Sequence, residues 1–230
     1  MENLKEYIEK RQISITLISF FAGYMFLLPV ITGIIGALLH ASESTMMLVS
    51  ISSQMMFTLF IVYINRDSFK NKYKFSYTWK GIMYGLTAIL LSFVFLFILM
   101  LILPNYQRSA NDVAINTMLS QHMIPTIISS VICAPVMEEL VFRKCMYDGL
   151  NNRLKSTVIA TVITSIIFAS MHCIDYILMG QFSEIISILF YIVPPLVFQR
   201  AYNKTGDIRV AIAAHMVFNF FSIYQMLSLM

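Results

Sequence analysis

Apolar positions along the chain fall into seven long blocks, at about 13–39, 45–65, 79–103, 123–151, 156–176, 183–202 and 208–229, separated by short polar connections. A block of about 20 apolar residues crosses the hydrocarbon core as a helix. The backbone polar groups of such a block are satisfied there only within helices or closed barrels. The pattern therefore predicts an all-α fold, a polytopic transmembrane bundle of about seven helices. We read residues 1–230 as one membrane domain, with an accessory three-helix part over about 1–104 and a helix core that carries the chemistry over about 120–230.

Composition agrees with this reading: 58% of residues are hydrophobic, 12% are charged, and the mean hydropathy is +0.75. Values that far from a soluble domain leave a membrane protein as the reading. The formal charge of +4 then says more about topology than about an anionic partner, and nucleic acid is not expected. Of sixteen basic residues, three precede the first block, five join the second to the third, four lie from Arg143 to Lys155 and three from Arg200 to Arg209. Arg108 alone falls on the other side. By the positive-inside rule the N-terminus is cytoplasmic, in a multi-pass protein of the plasma membrane. The first block is too long for the apolar region of a cleaved signal peptide and should remain as an anchor.

Small residues and prolines punctuate the blocks. Gly33 with Ala37, and Gly81 with Gly85, are each spaced four apart, the separation that lets membrane helices approach closely. The connection from Asn105 to His122 reads as a solvated loop or short interfacial helix. Pro194 and Pro195 must break or kink the sixth block. Pro135 does the same in the fourth block, where its ring opposes the carbonyl of Val131 and loosens the backbone one turn before Glu138 and Glu139. Cys133, Cys145 and Cys173 match neither a zinc knuckle nor a disulfide framework, and are expected to act as small hydrophobes.

Five polar groups in the second half resist a packing explanation: Glu138, Glu139, His172, His215 and Asn219. An ionisable residue inside a membrane marks a functional site unless it has a partner. Glu139 has one in Arg143, four residues on, in the favourable order for a helical ion pair. Glu138 has none nearby. Counting at about 1.5 Å per residue from a turn near 152–156, Glu138 sits about 22 Å up one arm of a hairpin and His172 about 25 Å up the other. His215 and Asn219 share a face of the last helix, as Phe168 and His172 do on theirs.

A carboxylate beside a neutral imidazole can hold and deprotonate water, with Glu138 as general base and His172 orienting the nucleophile. His215 and Asn219 could donate to the oxyanion of a tetrahedral intermediate. That constellation suits hydrolysis of an amide bond without any cofactor. The same side chains leave a zinc site open, with Glu138, His172 and His215 as ligands and a fourth position for water, although no HExxH helix is present. A non-catalytic peptide-binding or immunity protein could use the same polar pocket. A proton-coupled transporter is disfavoured because no inverted repeat is found.

Three motifs, EELVFR at Glu138–Arg143, FASMH at Phe168–His172 and HMVFN at His215–Asn219, resemble the EExxxR, FxxxH and HxxxN motifs of the CPBP family of intramembrane proteases, which includes CAAX prenyl proteases and bacteriocin-processing Abi proteins. The resemblance covers roughly residues 120–230. It implies that Glu138 and His172 activate water, that His215 and Asn219 form the oxyanion site, and that Glu139, Arg143 and Phe168 support them. The substrate it implies is a membrane-associated peptide or lipidated protein, and bacterial members are linked to bacteriocin self-immunity. The small size and short loops fit a bacterial member. Lys144 stands where the family often has glycine.

Overall fold

The computed structural model describes residues 2–72, 74–107 and 109–229, with side chains described for Tyr7 and from Lys10 onward. Arg108, the one basic residue expected at the opposite end of the bundle, lies outside the described residues. The fold is all-α, 86% helical, with no strand among the described residues. The helices are α1 (Lys10–Leu38, continuous with a helical stretch from Glu2), α2 (Glu43–Ile64), α3 (Phe75–Ile102), α4 (Ala110–Gln121), α5 (Met123–Leu154), α6 (Thr157–Met171), α7 (Glu184–Thr205) and α8 (Ile208–Leu227). Six of them are long and apolar enough to cross a membrane, and α6 is shorter.

The expected crossing over 156–176 is therefore corrected to a broken one. The helix stops at Met171, and the chain continues through a tight turn and a short helix, Ile174–Leu178. The cause lies in His172. A continuing α-helix would give the Phe168 carbonyl to the backbone N–H of His172. That N–H instead reaches Ala169 at 3.2 Å, and the imidazole Nδ1 takes the Phe168 carbonyl at 3.0 Å. The broken segment still traverses the bundle, because the start of α7 is tied to the start of α4 at the far end: Glu184 accepts from the Ala110 N–H at 2.9 Å.

The Lys- and Arg-rich connections meet at the other end. There the Gln12 amide donates to the Ile64 carbonyl at 3.0 Å, the Tyr202 hydroxyl donates to Asp148 at 2.9 Å, and the Arg209 guanidinium lies 5.9 Å from the Tyr77 ring. Lys144 pairs with Asp148 at 2.9 Å.

Close packing of α3 on α8 positions the last helix. A Cβ added at Gly81 would lie 2.5 Å from the Ala213 Cβ, and one at Gly85 would lie 2.6 Å from the Val217 Cβ and 2.8 Å from the Ala214 carbonyl. Gly33, expected to serve similarly in α1, faces nothing within 4 Å. In that helix Gly36 makes the close approach instead, against Met46. The prolines of α7 act as expected: the helix pauses at Ile192, and Pro194 and Pro195 occupy the first turn of its second half. Cys145 and Cys173 are buried, Cys133 is half-buried, and none of the three is in a disulfide among the described residues.

Of the two forms expected for the polar connection before α5, a solvated loop or a short helix, most of it takes the helical one. α4 is a 12-residue helix whose N-terminal N–H of Asp112 is capped by Ser109, and it covers the cavity described next.

Candidate active site

Within α5 the two carboxylates occupy a short α-helical stretch, Ala134–Glu139, between two π-helical segments, Ser129–Cys133 and Leu140–Tyr147. π-Bulges leave backbone carbonyls poorly served and recur at functional sites. In the first segment the Ala134 N–H bonds Ser129, five residues back. In that register the residue that would serve the Ser130 carbonyl is Pro135, which has no N–H. The loosened acceptor is thus Ser130 rather than Val131. The Asn219 side-chain amide takes it at 2.8 Å, and the Thr58 hydroxyl lies 3.3 Å from the neighbouring Cys133 carbonyl. A polar side chain on α8 is so spent partly on backbone that the membrane cannot hydrate.

The adjacent carboxylates have different surroundings. Glu139 is 0% exposed and bridges two helices. Its Oε2 lies 3.1 Å from Arg143 Nε, a distance for an ion pair although the alignment is not that of a hydrogen bond. Its Oε1 accepts from His215 Nδ1 at 2.9 Å. Arg143, also buried, donates from Nη2 to the Pro195 carbonyl at 3.2 Å and sits 4.8 Å from the Phe168 ring centroid. Glu138 has a buried Oε2 with no hydrogen-bond partner. His215 Nε2 lies 3.9 Å from that oxygen.

Both histidines are clamped between rings. His215 is stacked on Phe198, with centroids 4.7 Å apart, and touches Phe168 edge-on at 5.9 Å. His172 packs on Phe168 at 5.0 Å and stacks on Tyr191 at 4.9 Å and 21°. Phe168 accordingly touches Arg143, His172 and His215 at once, which gives the phenylalanine of the second motif a packing role.

Hydrogen-bond chemistry then assigns the imidazole protons. A carbonyl only accepts, so His172 carries its proton on Nδ1, and the neutral ring has its lone pair on Nε2. His215 likewise presents Nδ1–H to Glu139, which leaves Nε2 toward Glu138.

Glu138, His172, His215 and Asn219 line a single cavity of about 700 Å³. Glu138 and His172 share it without a hydrogen bond between them, among the described residues. Residues from three helices, α5, α6 and α8, therefore reach a common depth. Among the described residues no three His, Cys, Asp or Glu side chains are grouped as metal ligands.

Residues 120–221 match the family model for type II CAAX prenyl endopeptidase Rce1-like proteins. That segment is similar to an Rce1-like domain. It comprises α5 to most of α8, and is consistent with a CPBP intramembrane protease. No curated protein and no solved structure matches the chain. The Rce1-like domain supports intramembrane endopeptidase activity in general terms, within a multi-pass membrane protein.

Around the Rce1-like core the structure adds site neighbours that the sequence motifs do not contain. Tyr191 is one. Besides stacking on His172, its hydroxyl donates to Asp112 Oδ1 at 2.7 Å, lies 2.6 Å from Ser109 Oγ and accepts from the Asn111 amide at 3.3 Å. Gln54 on α2 is another: it lines the cavity and accepts from the Ser129 hydroxyl. Neither belongs to a sequence motif: Gln54 follows Ser52 and Ser53 in α2, and Tyr191 ends the apolar run ILFY of α7. Their partners lie 75 or more positions away.

Proposed function

We propose that the protein is an intramembrane endopeptidase that hydrolyses one peptide bond of a membrane-associated peptide or lipidated protein, in a bacterial plasma membrane. The observation that carries this reading is Glu138, a half-buried carboxylate whose Oε2 has no hydrogen-bond partner among the described residues, lining the same cavity as His172. A carboxylate held within a membrane bundle without a hydrogen-bond donor is costly, and such a group marks a functional site.

In this mechanism a water is held between Glu138 and His172 Nε2. Glu138 takes its proton as the oxygen attacks the scissile carbonyl carbon. The carbonyl oxygen becomes an oxyanion, met by the second proton of the Asn219 amide, the first being on Ser130, with His215 Nε2 as the second donor whenever that ring carries both protons. Glu138 then passes its proton to the amide nitrogen, the C–N bond breaks to give a carboxylic acid and an amine, and the acid's proton moves to the amine so that a carboxylate and an ammonium leave. Glu139 keeps Nδ1–H of His215 in place, and Arg143 holds Glu139. The roles need no metal. Zinc content and chelator sensitivity of purified protein check that part, with neither stoichiometric zinc nor inhibition expected.

The test is Glu138→Gln beside Asn219→Ala, assayed for peptide cleavage in proteoliposomes with protein level as control. Glu138→Gln should accumulate normally and lose all detectable turnover, while Asn219→Ala, which also strips the Ser130 carbonyl of its donor, should accumulate less and lose about 100-fold or more per molecule, the scale of one oxyanion donor. Normal cleavage by Glu138→Gln sinks the proposal. Retained peptide binding together with absent cleavage in the unmodified protein would point instead to a non-catalytic binding or immunity role.

A further inference from the structure

A second cavity, about 830 Å³, lies at the end of the bundle remote from the basic connections, between residues 103–114 and 176–187. It adjoins the first, because Tyr106, Gln107, Ala114 and Tyr176 line both. Glu184, at the start of α7, lines it and is 6% exposed. One carboxylate oxygen is structural, since Oε1 accepts from the Ala110 N–H at 2.9 Å and caps the start of α4. The other oxygen, Oε2, is buried and has no partner among the described residues. No lysine, arginine or histidine is among the described residues that line this cavity.

We propose that Glu184 forms a substrate subsite for a cationic side chain, an ammonium or guanidinium, of the peptide that the first cavity cleaves. The inference rests on the endopeptidase reading and adds a substrate class to it. A buried carboxylate oxygen left without a donor is unfavourable until a cation supplies one, and charge-assisted hydrogen bonds of that kind are the strong ones. Amide, hydroxyl and phenol groups of Gln107, Gln181, Ser187 and Tyr106 line the same cavity. They suit the remaining protons of such a cation and offer no competing charge.

The position along α7 sets the spacing. Glu184 precedes Tyr191, the residue stacked on His172, by seven residues, about 10 Å of helix rise. An extended peptide covers that distance in about three residues. The cationic side chain therefore belongs about three residues from the bond that is cut.

The experiment uses the full chain in nanodiscs and a set of fluorogenic peptides identical except that lysine, norleucine or glutamate is scanned through four positions on each side of the scissile bond. Lysine about three residues away should raise kcat/KM about 10- to 100-fold over norleucine, the scale of one hydrogen bond to a charged group, and glutamate should lower it. Glu184→Gln keeps an acceptor for the Ala110 N–H. It should therefore preserve expression while removing the lysine preference, so that the lysine and norleucine peptides are cut at equal rates. A binding arm separates the two readings: a photo-crosslinking version of each peptide is captured by Glu138→Gln and by Glu138→Gln/Glu184→Gln protein. Failure of the unmodified protein to cleave any peptide overturns the endopeptidase reading. Equal capture of lysine and norleucine peptides, or a lysine preference that survives Glu184→Gln, overturns the subsite. The first of these is also the outcome if a cation of this chain already neutralises Glu184.

Discussion

Glu139→Gln separates the roles of the two adjacent carboxylates, because the change keeps the side-chain volume and alters only what the group can accept. Glu139 serves two partners, Arg143 Nε at 3.1 Å and His215 Nδ1 at 2.9 Å, from two different oxygens. A glutamine has one oxygen, and its amide would present N–H to whichever partner it does not serve. If the oxygen stays on His215, Arg143 loses the counter-ion of a guanidinium that is 2% exposed. Removing one partner of a buried pair costs about 3–5 kcal/mol. On the usual scaling for chains of this size, about 2–4 °C per kcal/mol, the midpoint of thermal unfolding falls by about 6–20 °C. If the oxygen turns to Arg143, His215 loses its orienting acceptor, and activity falls by about 10- to 100-fold, the typical effect of a group that orients a functional histidine. Either way the variant is hurt in stability, in rate, or in both. Glu138→Gln, whose unpartnered oxygen holds nothing in place, should unfold at or above the unmodified temperature and yet be inactive. The assay is thermal unfolding of the purified protein in detergent, paired with peptide cleavage on the same samples. The reasoning is refuted if Glu139→Gln matches the unmodified protein in both readouts, or if Glu138→Gln is the less stable of the two.

Three further outcomes follow from particular contacts. Gly85→Ala places a methyl group against Val217 and the Ala214 carbonyl and should cost about 1–3 kcal/mol by overpacking. Gly33→Ala, with open space around it, should be neutral or gain up to about 1 kcal/mol from helix propensity; equal effects in chemical unfolding would contradict the assigned α3–α8 contact. Tyr191→Phe keeps the ring on His172 and loses the hydroxyl contacts, so it should lower stability by about 1–3 kcal/mol with turnover largely kept. Tyr191→Leu should lower kcat about tenfold with little change in KM, and steady-state kinetics on both variants decide. At the basic end, burial raises the pKa of Asp207, but side-chain and backbone hydrogen bonds from Arg209 outweigh it and leave a net depression. A depressed folded-state value adds stability above the ordinary carboxylate range and loses it as pH falls through the folded pKa. Asp207→Asn should therefore flatten the acid limb of a stability–pH curve measured by thermal unfolding, and an unchanged limb would argue against it.

How much was legible in the sequence differs from residue to residue. The Glu139–Arg143 pair follows from a spacing of four within one helix, where geometry is local. The second partner of Glu139 could not be read, because His215 is 76 positions away and only helix packing brings it near. Counting at α-helical rise predicted an unbroken 156–176 helix, and the sequence has no proline or glycine at 172 to contradict it. The break exists because the His172 imidazole competes with its own backbone N–H for the Phe168 carbonyl. The Pro135 effect was expected in kind and displaced by one residue, from Val131 to Ser130, since the π register of Ser129–Cys133 has no mark in the hydropathy pattern. Gly81 and Gly85 meet a helix and Gly33 does not, although their spacing signals look alike.

The sequence by itself determined the all-α membrane class, because about 20 apolar residues in a row have few other stable forms. It also singled out the short polar set of Glu138, Glu139, His172, His215 and Asn219, because charge and imidazole are costly in hydrocarbon and stand out against it. Only the tertiary structure decided what each member of that set faces. Glu139 is drawn to Arg143 and His215, Asn219 is partly spent on the Ser130 carbonyl, and Tyr191 and Glu184 join the cavities from a helix whose sequence looks ordinary. The physical reason is that hydropathy is a property of one residue at a time, whereas a hydrogen bond has two ends. In this bundle the second end of nearly every contact that shapes the cavity belongs to a different helix.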